Sequence, residues 1–163
     1  MPKRQLSRIL IAAVFLVPFA PGRASAVDRT CTISGTMSLM PGLGTEPSSG
    51  TFSEGSGELG TIDCGYGHSG TFAMDGHYGS RDPDTCTGGG EGWGVQSFTV
   101  NGVNTKNPFT FGYGGASGAG GTLSGRFYGD VFSGAFDLIP VEGDCTSTRV
   151  TKARLSGKGI WKD

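Results

Sequence analysis

Glycine is the feature that most restricts this chain: 31 of its 163 residues are Gly, and they are spread among aromatic and β-branched residues rather than gathered in a linker. Glycine in a helix interior costs about 1 kcal/mol relative to alanine, so helices are disfavoured throughout. No strict G-x-y period is present, which excludes a collagen-like rod. No window carries the i, i+3, i+4 apolar spacing of an amphipathic helix. Alternation at period two recurs instead, and it predicts strands.

Eight segments read this way. The first, about Cys31–Leu39, sets Cys31, Ile33, Met37 and Leu39 against Thr32, Ser34, Thr36 and Ser38, and ends at Pro41-Gly42. The second spans about Thr51–Cys64. The third, about Gly70–Tyr78, sets Phe72, Met74 and Tyr78 against Thr71, Asp75 and His77. The fourth is Gly92–Val100, followed by the hairpin signal Asn101-Gly102. The fifth, sixth and seventh are about Pro108–Tyr113, Thr122–Tyr128 and Val131–Ile139, the last with Phe132, Phe136 and Leu138 inward. The eighth is about Thr148–Trp161, with Ala153, Leu155 and Trp161 on one face and Val150, Lys152, Arg154, Lys158 and Lys162 on the other. Short strands with frequent turns predict an all-β domain, an antiparallel β-barrel of about eight strands, with a two-sheet β-sandwich as the alternative.

The N-terminus reads as a secretory leader. Lys3, Arg4 and Arg8 precede an apolar run from Ile9 to Phe19, and Ala24-Ser25-Ala26 supplies the small residues of a cleavage site. The run is too short to span a bilayer as a helix. Residues 1–26 are therefore set aside as a signal peptide, with cleavage after Ala26, and residues 27–163 are taken as one secreted, extracellular domain. The whole chain has 13 Lys and Arg against 14 Asp and Glu. Lys3, Arg4, Arg8 and Arg23 leave with the leader, so the remainder is acidic. That argues against nucleic acid as a partner, and no later segment is apolar enough for a membrane span.

All four cysteines, Cys31, Cys64, Cys86 and Cys145, follow the leader. An even count in an exported chain predicts two disulfides, and the absence of any C-x2-C pair argues against zinc. If consecutive strands alternate in direction, Cys31 and Cys64 fall at one end and Cys86 and Cys145 at the other. That parity favours Cys31–Cys64 and Cys86–Cys145 among three possible pairings.

Cys31-Thr32-Ile33-Ser34-Gly35, Pro41-Gly42-Leu43, Cys64, Cys86-Thr87-Gly88-Gly89, Gly125-Arg126-Phe127-Tyr128-Gly129-Asp130 and Cys145 stand in an order that resembles a group of small exported actinobacterial proteins of uncharacterised function. The resemblance covers essentially the whole chain after the leader. It implies a secreted β-rich domain with two disulfides, and it brings no activity and no functional residue.

Motifs with chemical potential are weak. Gly65-Tyr66-Gly67-His68-Ser69-Gly70 matches G-x-G-x-x-G, but a strand rather than a helix follows it, so a dinucleotide site is not expected. His68-Ser69 lacks a nucleophile elbow, because Thr71 stands where the last glycine is needed. The best polar constellation joins Asp63 and His68 with Asp75 and His77, the only two histidines being His68 and His77; Asp75 and His77 share one strand face. A polar outer face explains them better, because alternation places polar residues there in any case. Glu46, Glu54, Glu58, Asp63, Asp75, Asp82, Asp84 and Glu91 crowd the first half and read as solvated surface, without the ligand spacing of a calcium loop. Tyr66, Tyr78, Trp93, Tyr113, Tyr128 and Trp161 could line a carbohydrate or small-ligand pocket or could serve as packing. Glycines at inward positions (Gly35, Gly76, Gly125, Gly134) are expected to leave space inside the barrel.

No catalytic residue, cofactor or metal is assigned. The expected function is an exported, non-catalytic module that binds a small ligand, a glycan or an extracellular protein. The alternatives are a structural, envelope-associated protein and a small secreted hydrolase or cyclase.

Overall fold

The computed structural model describes residues 28–54, 59–117 and 121–162; the leader lies outside them. Nine strands appear in the order β1 (Arg29–Leu43), β2 (Gly50–Glu54), β3 (Gly60–Asp63), β4 (Ser69–Tyr78), β5 (Gly90–Val100), β6 (Val103–Tyr113), β7 (Leu123–Gly129), β8 (Phe132–Glu142) and β9 (Val150–Trp161). Each pairs antiparallel with its spatial neighbours, and β9 pairs along almost the whole of β1, so the sheet closes into a barrel. Closure removes the unpaired edges that an open sheet would expose. The sandwich alternative is thereby excluded.

β2 and β3 lie end to end in one row, both between β1 and β4. Nine elements therefore make an eight-stave barrel plus one break. In place of the continuous second strand expected over Thr51–Cys64 there are two, β2 and β3. Met37 faces Glu54 whereas Ser34 faces Thr61, so the register against β1 differs between the two. β6 also begins earlier than expected, directly after the Asn101-Gly102 turn, whose two residues have φ of 50° and 80°. Pro108 had suggested a later start. It is tolerated because β7 pairs with β6 only from Phe109 onward.

Alternation holds along the staves. Cys31, Ile33, Met37, Leu39, Phe72, Met74, Tyr78, Phe132, Phe136, Leu138, Ala153 and Leu155 are all buried. Val150 differs: it was expected outward beside Lys152 and Arg154, but it is fully buried. The β1–β9 register shifts between Ser38 and Leu43, which exchanges the two faces at this end of β9.

The inward glycines do not leave the barrel empty, as the sequence had suggested. A Cβ on Gly76 would meet Phe52 Cζ at 2.6 Å, one on Gly125 would meet Phe136 Cζ at 2.5 Å, and one on Gly134 would meet Gly159 N at 2.9 Å. On Gly35 it would press against the Glu54 carboxyl. At Gly35, Gly76 and Gly125 the missing side chain is replaced by one reaching across from a neighbouring strand, whereas at Gly134 the backbone of β9 closes in. The rings then pack on one another: Phe127 stacks on Phe136 at 4.3 Å, and Phe52 meets Phe111 edge-on at 5.3 Å. What remains is an apolar cavity of about 20 Å³ among Met37, Phe52, Phe109, Phe127 and their neighbours.

The two disulfides are Cys31–Cys64 and Cys86–Cys145, as strand parity favoured. The first ties the start of β1 to the residue after β3. The second joins the β4–β5 and β8–β9 connections at the other end. Each contributes roughly 2–4 kcal/mol by restricting the unfolded chain.

Gly76→Ala and Gly125→Ala should each destabilise the barrel by about 1–3 kcal/mol through overpacking. Gly112→Ala should be neutral or slightly stabilising, because nothing but Gly90 O, at 3.8 Å, lies near its Cβ position. Urea unfolding of the three variants checks this; equal effects at all three sites would mean that the ring-over-glycine contacts contribute nothing.

Candidate binding face on the outer wall

Two of the carboxylates expected in solvent are buried. Asp84 is 1% exposed. It accepts from Tyr113 Oη at 3.2 Å and from Glu91 N at 3.2 Å, and burial lifts its pKa to about 6 against these bonds. Its carbonyl and amide also bridge to Ser48, so it fastens the loop carrying Cys86 to the barrel end. Tyr78 accepts from Gly42 N at 3.2 Å in the same region. Glu54, the last residue of β2, points inward between Gly35 and Gly60. Neither of its oxygens has a well-formed hydrogen bond. Burial, reinforced by the nearby charge of Asp75, raises its pKa to about 8, so it is held neutral inside the barrel.

Gln96 is a third buried polar group. Its Nε2 donates to Asn107 Oδ1 at 2.6 Å and to Phe132 O at 3.3 Å. None of these three groups forms an accessible interior site, since the cavity itself has only apolar walls.

The outer wall is different. His77 on β4, Trp93 on β5, Thr110 on β6 and Tyr128 on β7 are successive register partners, so they form one row across four staves. Each points outward by the same alternation that buries Tyr78, Phe109 and Phe127. Trp93 and Tyr128 are 50% and 57% exposed. The His77 ring lies against Trp93 at 4.8 Å. One step along the strands, Glu91, Gly112 and Arg126 form the neighbouring row. Thr110 stands between the two aromatic residues, Gly112 leaves bare backbone in the row beside them, and Arg81 pairs with Glu91 at 3.9 Å at the margin. Three depressions of about 480, 380 and 680 Å³ adjoin along this face, the first two meeting at Trp93 and the last two sharing Glu91, Gly112 and Tyr128.

The four polar candidates separate into two pairs. Asp63 is exposed at the end of β3, where its Oδ1 accepts from Gly65 N at 2.8 Å and caps the turn. His68 Nδ1 lies 3.0 Å from Asn101 Nδ2, which joins this turn to the β5–β6 hairpin. Gly65, Tyr66 and Gly67 all have positive φ, so the G-x-G-x-x-G stretch is a tight turn leading into β4. Asp75 and His77 share the outer face of β4, roughly 20 Å further along it. Among the described residues no three of His, Cys, Asp and Glu gather as a metal site.

The six aromatic candidates also divide. Tyr78 and Tyr113 are core, Trp161 is half-buried against Phe98 at 5.0 Å, and Tyr66, Trp93 and Tyr128 are exposed. Sequence reading missed the row because pairing register, not spacing in the chain, places Trp93 and Tyr128 together.

No family model matches this chain, and no curated protein or solved structure is found to be similar to it.

Glu54 and Asp84 have folded pKa values above their ordinary ones, so the folded state holds protons more tightly. Their contribution to stability is complete below about pH 4 and is lost as pH rises through about 6 for Asp84 and about 8 for Glu54. Glu54→Gln should therefore melt higher than wild type at pH 8.5, by roughly 3–8 °C for a gain of about 1–2 kcal/mol, and should differ less at pH 5. Calorimetry across this range measures it; an unchanged melting temperature at pH 8.5 would place the carboxyl in water.

Proposed function

We propose that this chain is an exported, non-catalytic barrel that binds its ligand on the outer wall of β4–β7 rather than inside. The supporting observation is the contrast between the two surfaces. The interior is filled to a residue of about 20 Å³. The wall presents two half-exposed aromatic rings in one register row beside the bare backbone of Gly112. Large side chains exposed beside polar groups in a concave setting are where ligands are most often held.

Export rests on the leader-like residues 1–26, and the two disulfides are compatible with an oxidising, extracellular location. A hydrolase or cyclase built on Asp63, His68, Asp75 and His77 has less support, because the two pairs are far apart on β4. Material recovered from the culture medium should begin at Val27 on N-terminal sequencing; a start at Met1 would remove the leader.

The wall reading is tested by nitrogen-15 NMR of residues 27–163 titrated with a fragment set containing phenol, monosaccharides and short peptides. Shift changes should concentrate at Trp93, Thr110, Gly112 and Tyr128. Changes confined to inward residues such as Phe109 and Phe127 would move the ligand inside and end the proposal.

A further inference from the structure

On the basis of that outer-wall reading, we propose that the ligand is an uncharged glycan chain lying across the strands, with Trp93 and Tyr128 as its two stacking platforms. Trp93 and Tyr128 are separated by one intervening strand, hence by roughly 10 Å at ordinary strand spacing. That is about the length of a disaccharide, so alternate sugar units along a chain can reach both rings. The faces of a pyranose carry C–H bonds, which are attracted to the negative face of an aromatic ring. Its hydroxyls lie around the rim and need donors and acceptors there. The wall supplies both kinds of contact: Thr110 between the rings, and the Arg81–Glu91 pair at the edge.

Three further observations favour this class. The three depressions carry no basic excess, with Arg81, Lys106 and Arg126 against Asp75, Asp82, Asp84 and Glu91; a nucleic acid or sulfated polymer would call for a basic groove. The depressions continue one into the next on both sides of Trp93, which suits a polymer better than a single small molecule. The floor at Gly112, in the row beside the two rings, has no side chain and no neighbour within 3.4 Å of a Cβ position, so a sugar can settle there alongside Trp93 and Tyr128. A protein partner fits less well, because the two rings are parted by the exposed Thr110 and offer no continuous apolar centre. The His77 ring, tilted at 34° against Trp93 at 4.8 Å, restricts the platform before binding, which lowers the ordering cost.

The test is affinity electrophoresis of the 27–163 protein in gels containing hydroxyethyl cellulose, xylan, mixed-linkage β-glucan, glucomannan or glycol chitin, with polygalacturonate as the anionic control. At least one neutral polymer should retard the protein. Trp93→Ala should weaken that binding about tenfold or more and Tyr128→Ala about threefold to tenfold, the size expected for losing one stacking contact. Gly112→Val should weaken it by blocking the floor, while Tyr66→Ala, an exposed ring elsewhere, should leave it unchanged. Melting curves confirm that each variant is folded. Retardation by polygalacturonate alone, or by none of the polymers, overturns the glycan assignment and leaves the NMR mapping to decide the wall. Retardation equal in wild type, Trp93→Ala and Tyr128→Ala overturns both.

Discussion

Insertion of aromatic rings into the places left by inward glycines is the interaction on which this barrel depends. A closed sheet of eight staves has a narrow lumen, and it cannot hold a large side chain at every inward position. Glycine at Gly76, Gly92, Gly125 and Gly159 lets Phe52, Phe111, Phe136 and Phe132 reach across. Each ring covers backbone that would otherwise face a void, an arrangement known to offset the weakness of glycine in strands. Glycine's entropic cost is thus met by contact rather than by hydrogen bonding alone. The rings also lock to one another, so the lumen behaves as a single packed unit.

Among the described residues, polar groups enter this interior as the mid-strand pair Gln96 and Asn107 on β5 and β6 and as two carboxylates where staves break or end. Glu54 sits at the break between β2 and β3, and Asp84 stands in the connection that carries Cys86. Asp84 is satisfied by Tyr113 and the Glu91 amide, so its burial organises a loop. Glu54 has no comparable partner and stays in place by remaining protonated. The same burial therefore has opposite local consequences, decided by whether donors are within reach.

Much of the fold was legible in the sequence because alternation, turn residues and cysteine parity all act locally or by simple counting. Ile33, Phe72 and Phe136 face inward for no subtler reason than their place in a period-two pattern. Features that depend on pairing across strands were not legible. The division into β2 and β3 goes with a change of register against β1. Val150 is buried through a register shift, and the rings over Gly76 and Gly125 come from other strands. The candidate site belongs to this second class: Trp93 and Tyr128 are 35 residues apart in the chain and meet only because each is in register with Thr110.

These two halves of the structure are linked. Once the lumen is filled by rings, its remaining cavity has an apolar lining, and the recognition proposed above falls to what the outward half of the alternation presents. On most of the barrel that half is Ser, Thr and charged residues. On β5 and β7 it includes Trp93 and Tyr128, whose apolar faces gain nothing from water and remain exposed beside the Gly112 floor. Closed pairing holds these staves at fixed spacing, so the separation of the two rings is set by the sheet and not by loop conformation. A recognition surface built this way is rigid before its ligand arrives, and the packing of the interior is what makes it so.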